Sequence, residues 1–239
     1  MIREAIDGIL ELGAPNEIEY AGRTFVDKKM TALPHEPRAE VLETNTLSSI
    51  VDYIKQRVDE KALPDSRYVI HIQSPSIVAL YKEMNADKVR DCLISASSGR
   101  CRYPFGQFMD IEKFIINLQS CFVQDENIAQ LLSFVASVKD DTSVTQEDDG
   151  VTQKVTAKAG ISLAKTAKAP NPVYLRPYRT SPEVEQPLSA FVFRMRKDDR
   201  TGVTAALFEA DGDAWEHAAI LNIKQYFDEA LPGQAIVLA

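Results

Sequence analysis

Histidine and cysteine are scarce, three of each in 239 residues. His35 falls in a proline-bounded loop, His71 in an alternating stretch and His217 in an amphipathic one. No H-x-H or H-E-x-x-H spacing brings two of them together, which argues against a zinc or histidine-based catalytic centre. Cys92, Cys101 and Cys121 are odd in number and contain no C-x-x-C. A secreted disulfide framework and a structural zinc site are therefore not expected. Three reduced, buried thiols in a cytoplasm are. No apolar run approaches the roughly 18 residues that span a bilayer, so no membrane partner is expected. The opening MIREAIDGILELG interrupts its apolar positions with Glu4, Asp7 and Glu11, unlike a signal peptide. The glycine patterns of dinucleotide-binding, P-loop and serine-hydrolase sites are missing too.

The composition that is present, 45% hydrophobic and 26% charged, is that of an ordinary globular protein. The net charge of −8 is unevenly spread. Residues 124–150 carry seven acids against one base, residues 151–200 ten bases against four acids, and residues 201–239 six acids against one base. An acidic chain as a whole repels nucleic acid, because phosphate neutralisation supplies most of that affinity. A basic block between acidic ones either meets phosphate or pairs with its acidic neighbours, within the fold or across a subunit boundary.

Hydrophobic spacing predicts about five helices. They lie at residues 2–13, at 44–63 with Asn45 or Thr46 as cap, after Asp110, after Asp125, and from Asp211 or Asp213 to the Pro232–Gly233 stop. Residues 17–26 read as a hairpin turning at Gly22, and residues 67–97 as an antiparallel meander. VTQKVTAKAG reads as a strand and LAKTAKAPNP as a connection. Residues 188–196 and 203–210 form a second hairpin. Strands and helices come in blocks, so the expected class is α+β with mostly antiparallel sheet. A single domain spanning 1–239 is expected, with any division into two lobes near the polar, turn-rich 139–150 stretch.

The stretch of most chemical interest is NPVYLRPYRTSPEVEQPLSAFVFRMR, residues 171–196. Pro177, Pro182 and Pro187 restrict the backbone around Arg176, Arg179, Glu183 and Glu185. In alternating extended chain Glu183 and Glu185 share a face, and arginine–carboxylate pairing can staple the segment to a neighbouring strand or subunit. Alternatively, Arg176, Arg179, Arg194 and Arg196 hold a phosphate-bearing ligand or single-stranded nucleic acid, with Tyr174 and Tyr178 stacking on bases. The candidate ligand-binding residues are Arg176, Tyr178, Arg179, Glu183, Glu185, Arg194 and Arg196. A divalent metal among Asp148, Asp149, Glu183 and Glu185 is a third possibility, though no spacing demands it. SSGRCR, residues 97–102, places Gly99, two hydroxyls and two arginines after a strand, but it lacks P-loop spacing. SLAK, residues 162–165, matches S-x-x-K without its companion motifs. EADGDAWE alternates Glu209, Asp211 and Asp213 without the calcium-loop register, and reads as helix capping.

DDGVTQKVTAKAGI, the 171–196 stretch and LFEADGDAWEHAAILNIKQYF together resemble the YfdQ-like family of phage and prophage proteins, from about residue 40 onward. That resemblance implies a protein made in a bacterial cytoplasm, and it carries over no catalytic residue. The expectation is a non-enzymatic, self-associating binding protein with no catalytic residues, cofactor or metal. The alternative is a nucleotide- or nucleic-acid-binding accessory of phage recombination or counter-defence.

Overall fold

A computed structural model describes residues 15–20, 22–27, 39–59, 61, 67–85, 88–99, 101–139, 144–148, 153–157, 165–168, 171–198 and 202–239, with residues 3, 6 and 13. The chain falls into two compact units, Met1–Arg38 and Ala39–Ala239. The acidic 139–150 stretch lies inside the second.

In the first unit β1 (Glu17–Tyr20) and β2 (Arg23–Val26) form the expected antiparallel hairpin. Gly22 sits at φ +72°, a left-handed conformation that glycine adopts without a Cβ penalty. The helix expected at residues 2–13 lies largely outside the described residues.

The second unit is α+β. It begins with β3 (Leu42–Thr44) and α1 (Ser48–Lys55), followed by the meander β4 (Tyr68–Ser74), β5 (Ile77–Lys82) and β6 (Cys92–Ser97). Next come β7 (Met109–Asp110), α2 (Ile111–Cys121) and α3 (Glu126–Lys139). A three-stranded antiparallel sheet follows, from β8 (Val144–Asp148), β9 (Gln153–Ala157) and β10 (Lys165–Lys168). β8 and β10 correct the sequence reading, which took the first stretch as polar and turn-rich and the second as a connection. Their sequences, VTQED and KTAK, show no apolar alternation to betray a strand. The chain closes with β11 (Val173–Leu175), β12 (Ser189–Asp198), β13 (Gly202–Glu209), α4 (Ala214–Ala230) and β14 (Ala235–Leu238).

The larger sheet has the order β14-β4-β5-β6-β3. Its central pairs are antiparallel and its two edge pairs, β14 with β4 and β3 with β6, are parallel. Cross-strand partners Ile70 and Leu80, Ile72 and Val78, and Leu80 and Ile94 put one apolar row on one face. Ile50 and Ile54 of α1 and Ile223 and Phe227 of α4 pack against that row. Full burial of each such side chain contributes about 1.5–3 kcal/mol.

The four-stranded sheet has the order β11-β12-β13-β7. Phe191, Phe193 and Met195 alternate toward a core completed by Phe114 and Leu118 of α2 and Ile128, Leu131 and Val135 of α3. The Asp110 carboxylate accepts from Lys113 N at 2.9 Å, and that of Asp125 from Asn127 N and Ile128 N. Both helix starts are thus capped as the sequence predicted.

α1 is shorter than its apolar spacing suggested. Arg57 turns to φ 50° and Val58 is exposed. Its cap is not Asn45 or Thr46 either. The Glu183 carboxylate, far along the chain, accepts from Leu47 N at 2.6 Å and Ser48 N at 2.8 Å.

Candidate functional site

After β11 the chain turns through the proline corner, and Gln186 holds that corner together. This buried amide accepts from Arg179 N and Thr180 N through Oε1, at 2.9 and 3.2 Å. Its Nε2 donates to the carbonyls of Ser181 and Val184. Two donors on one end and two acceptors on the other fix the amide orientation. Thr180 Oγ1 donates to the Pro75 carbonyl and ties the corner to the β4–β5 turn. Three backbone bonds form the opposite seam: Tyr178 N to Cys121 O, Cys101 N to Tyr178 O, and Val123 N to Arg176 O.

The corner directs its charged residues apart. Arg176 Nη1 lies 3.1 Å from Asp125 Oδ2, and its Nη2 lies 3.6 Å from Glu185 Oε1. Glu183 goes to the start of α1 instead. Burial pushes its carboxyl up, but the Leu47 and Ser48 amides with the Ser48 and Ser181 hydroxyls outweigh burial and hold it below the usual carboxylate range. The expected shared face of Glu183 and Glu185 therefore does not form. The chain turns at residues 182–184 and sends the two carboxylates to different partners.

Arg179 is the residue the corner turns inward. It is 6% exposed. Its guanidinium carbon lies 4.7 Å from the Phe105 ring centre, 5.2 Å from that of Phe191 and 4.7 Å from that of Trp215. Such faces attract a desolvated cation through their quadrupoles. Phe105 itself stacks on Phe191, with ring planes 9° apart. It is placed by Gly106, whose φ of +73° lets the Gly106 amide reach the Leu207 carbonyl at 2.8 Å. Glu209 stands opposite Phe191 in register and so shares its face. Its Oε1 lies 2.9 Å from Arg179 Nη2, an ion pair without hydrogen-bond alignment. Burial lowers the Arg179 pKa, while Glu209, Asp211 and Asp213 pull it back up. Three of the four acids of EADGDAWE, Glu209, Asp211 and Asp213, thus act on one guanidinium. Asp213, at the start of α4, makes no side-chain capping bond, which corrects the capping assignment.

Beside Arg179 opens a cleft of about 670 Å³. The SSGRCR loop forms one wall through Ser98, Gly99, Cys101 and Arg102. Phe105, Arg179, Glu209 and Trp215 complete the lining. The two stretches that sequence reading singled out separately therefore meet. Arg179 Nη1 and Ser98 Oγ are buried here without a hydrogen-bond partner among the described residues. Arg100 lies outside those residues. Sequence reading missed Phe105, Trp215 and Gln186. The one local signal was that the chain's single tryptophan follows the acidic cluster.

The other expected residues do not join this site. Arg194 and Arg196 alternate with Phe193 and Met195 along β12 and face away from the side that holds Phe191, Glu209 and Arg179. Arg196 lies 4.1 Å over the Phe108 ring, and Arg194 Nη1 donates to the Phe193 carbonyl. Tyr174 and Tyr178 are exposed. Asp149 and the side chain of Asp148 lie outside the described residues. Among the described residues no cluster of His, Cys, Asp and Glu is placed to hold a metal, and no helix is long and apolar enough to cross a membrane.

Cys101 and Cys121 are joined as a disulfide, with Cα atoms 5.4 Å apart, on the seam behind the cleft. This corrects the expectation of three reduced thiols: only Cys92 is free. The backbone bonds through Tyr178 bring the loop after β6 against the end of α2, a proximity that spacing in sequence does not encode.

No protein-family model, curated protein or solved structure matches this chain.

Proposed function

We propose that the protein acts by binding, and that the cleft over Arg179 holds an anionic ligand. The observation that carries this reading is the guanidinium of Arg179. It is buried among three aromatic rings, with Nη1 unpartnered among the described residues, beside a cleft that also contains Arg102. A buried donor left without a partner costs about 1–3 kcal/mol, which an incoming acceptor recovers. The lining offers cations, a hydroxyl and aromatic faces, the parts from which sites for small anions are built.

Self-association is part of the same proposal. The two edges of the five-stranded sheet are short strands with exposed apolar side chains, Ile236 and Leu238 on β14 and Leu42 on β3. Unpaired strand edges of this kind are templates for pairing with another chain. A phage or prophage origin and work in a bacterial cytoplasm are the setting that the YfdQ-like resemblance implies. Single-stranded nucleic acid is the weaker reading of the basic segment. Of the four arginines expected to meet phosphates, Arg176 is paired with acids and Arg179 is buried, which leaves Arg194 and Arg196.

The test is native mass spectrometry of the protein as purified from bacteria, with released small molecules identified in parallel. A homo-oligomer carrying an acidic small molecule, lost in the Arg102→Ala variant, is the expected result. An empty monomer with no thermal shift in any anion tried would overturn the reading.

A further inference from the structure

The cleft contains a carboxylate that is already on the guanidinium. We infer that Glu209 occupies the position of the ligand's acidic group, and that a small monocarboxylate with an apolar body binds by displacing it. This rests on the reading of the cleft as an anion site.

The two partners of the ion pair differ in freedom. Arg179 is stacked among three rings and its backbone is pinned by Gln186. It stays where it is. The side chain of Glu209, the last residue of β13, is 42% exposed. It can leave for water because its own side chain is only partly desolvated, provided the incoming carboxylate takes its place on the buried guanidinium. The pair is also incomplete. Glu209 places one oxygen near Nη2 and leaves Nη1 without a partner among the described residues. A free carboxylate approaching through the cleft is not tied to a strand end, so it can bridge Nη1 and Nη2 in the two-point geometry that suits a guanidinium. Ser98 Oγ and Arg102 stand in the same lining to take up its remaining acceptor capacity.

Charge selects among anions. Asp211 and Asp213 both act on Arg179. Exchanging one carboxylate for another leaves the charge beside the guanidinium unchanged. A phosphate dianion would add a second negative charge to that acidic surround, which disfavours it. The aromatic walls, Phe105 and Trp215, offer apolar faces to the rest of the ligand.

The experiment compares wild type with Glu209→Gln, using benzoate, inorganic phosphate and adenosine monophosphate as probes, read by ligand-observed NMR and calorimetry. Thermal melts of both proteins check that each is folded. Benzoate is expected to bind wild type more tightly than either phosphate compound. Glu209→Gln, which removes the competing charge, is expected to bind benzoate about fivefold more tightly, the worth of roughly one weak ion pair. Equal or weaker binding of benzoate by Glu209→Gln would overturn displacement while leaving the anion site standing. Tighter binding of phosphate or of the nucleotide by wild type would overturn the ligand class. Failure of both folded proteins to bind any probe would overturn the anion site itself. Arg102→Ala should weaken benzoate binding in either background, and no change there would also count against the assigned pose.

Discussion

Replacing Glu183 tests whether a residue that looks like part of a ligand site is a structural device. α1 has eight residues and no acid in its first turn. A helix this short does not persist in water without support, and its first amides have no partners within the helix. Glu183 supplies two charge-assisted acceptors and the negative charge that the helix start favours. Ser181 Oγ donates to the same carboxylate at 3.0 Å. Glu183→Ala removes these bonds and leaves Leu47 N and Ser48 N unsatisfied, a loss of about 2 kcal/mol. In a unit of this size the melting temperature should fall by roughly 4–8 °C. Glu183→Gln keeps one acceptor and should lose about half as much. The pH dependence follows from the depressed carboxyl pKa. The unfolded carboxyl titrates near pH ~4.3. Its contribution is therefore complete above about pH 5 and disappears as pH falls through the lower folded value. Differential scanning calorimetry of wild type and Glu183→Ala between pH 7 and pH 3 should show two curves that converge in acid. Melting temperatures within about 1 °C at pH 7, or a gap that persists in acid, would refute the capping argument.

Gln186→Leu should be the most damaging single change in the corner, since it deletes four hydrogen bonds in a buried setting. A loss of about 3 kcal/mol is expected from chemical denaturation, and a loss below about 1 kcal/mol would argue against that network. Tyr103→Phe should be neutral or stabilising by up to about 1 kcal/mol, because the buried hydroxyl has no hydrogen-bond partner among the described residues. Clear destabilisation would mean that it does have one. Thiol titration of the unfolded, unreduced protein should find one free thiol, Cys92, and three after reduction. Three thiols before reduction would contradict the Cys101–Cys121 bond.

Local signals read well in this sequence. Gly22, the alternation across β4 to β6, the caps at Asp110 and Asp125 and the stop at Pro232–Gly233 act within a few residues of themselves, and each appears where expected. The parallel edges did not read, because pairing of β14 with β4 and of β3 with β6 leaves no mark in either segment. The site was half legible. Composition singled out the corner and the loop that line the cleft, but extended-chain geometry put Glu183 and Glu185 on one face, and the turn at residues 182–184 separates them. Nothing in the order of residues distinguishes Arg179, enclosed by rings from three distant segments, from Arg176, paired near the surface.

The apolar face of the five-stranded sheet has a consequence for synthesis. Ile70 and Leu80 are fully buried partly because Ile223 and Phe227 of α4 lie with them. The ribosome makes the meander well before α4, and at roughly 5–20 residues per second the interval is many seconds. Over that interval the nascent sheet lacks α4 as a cover and β14 as an edge strand. Until α4 is made, that uncovered apolar face is a target for chaperones.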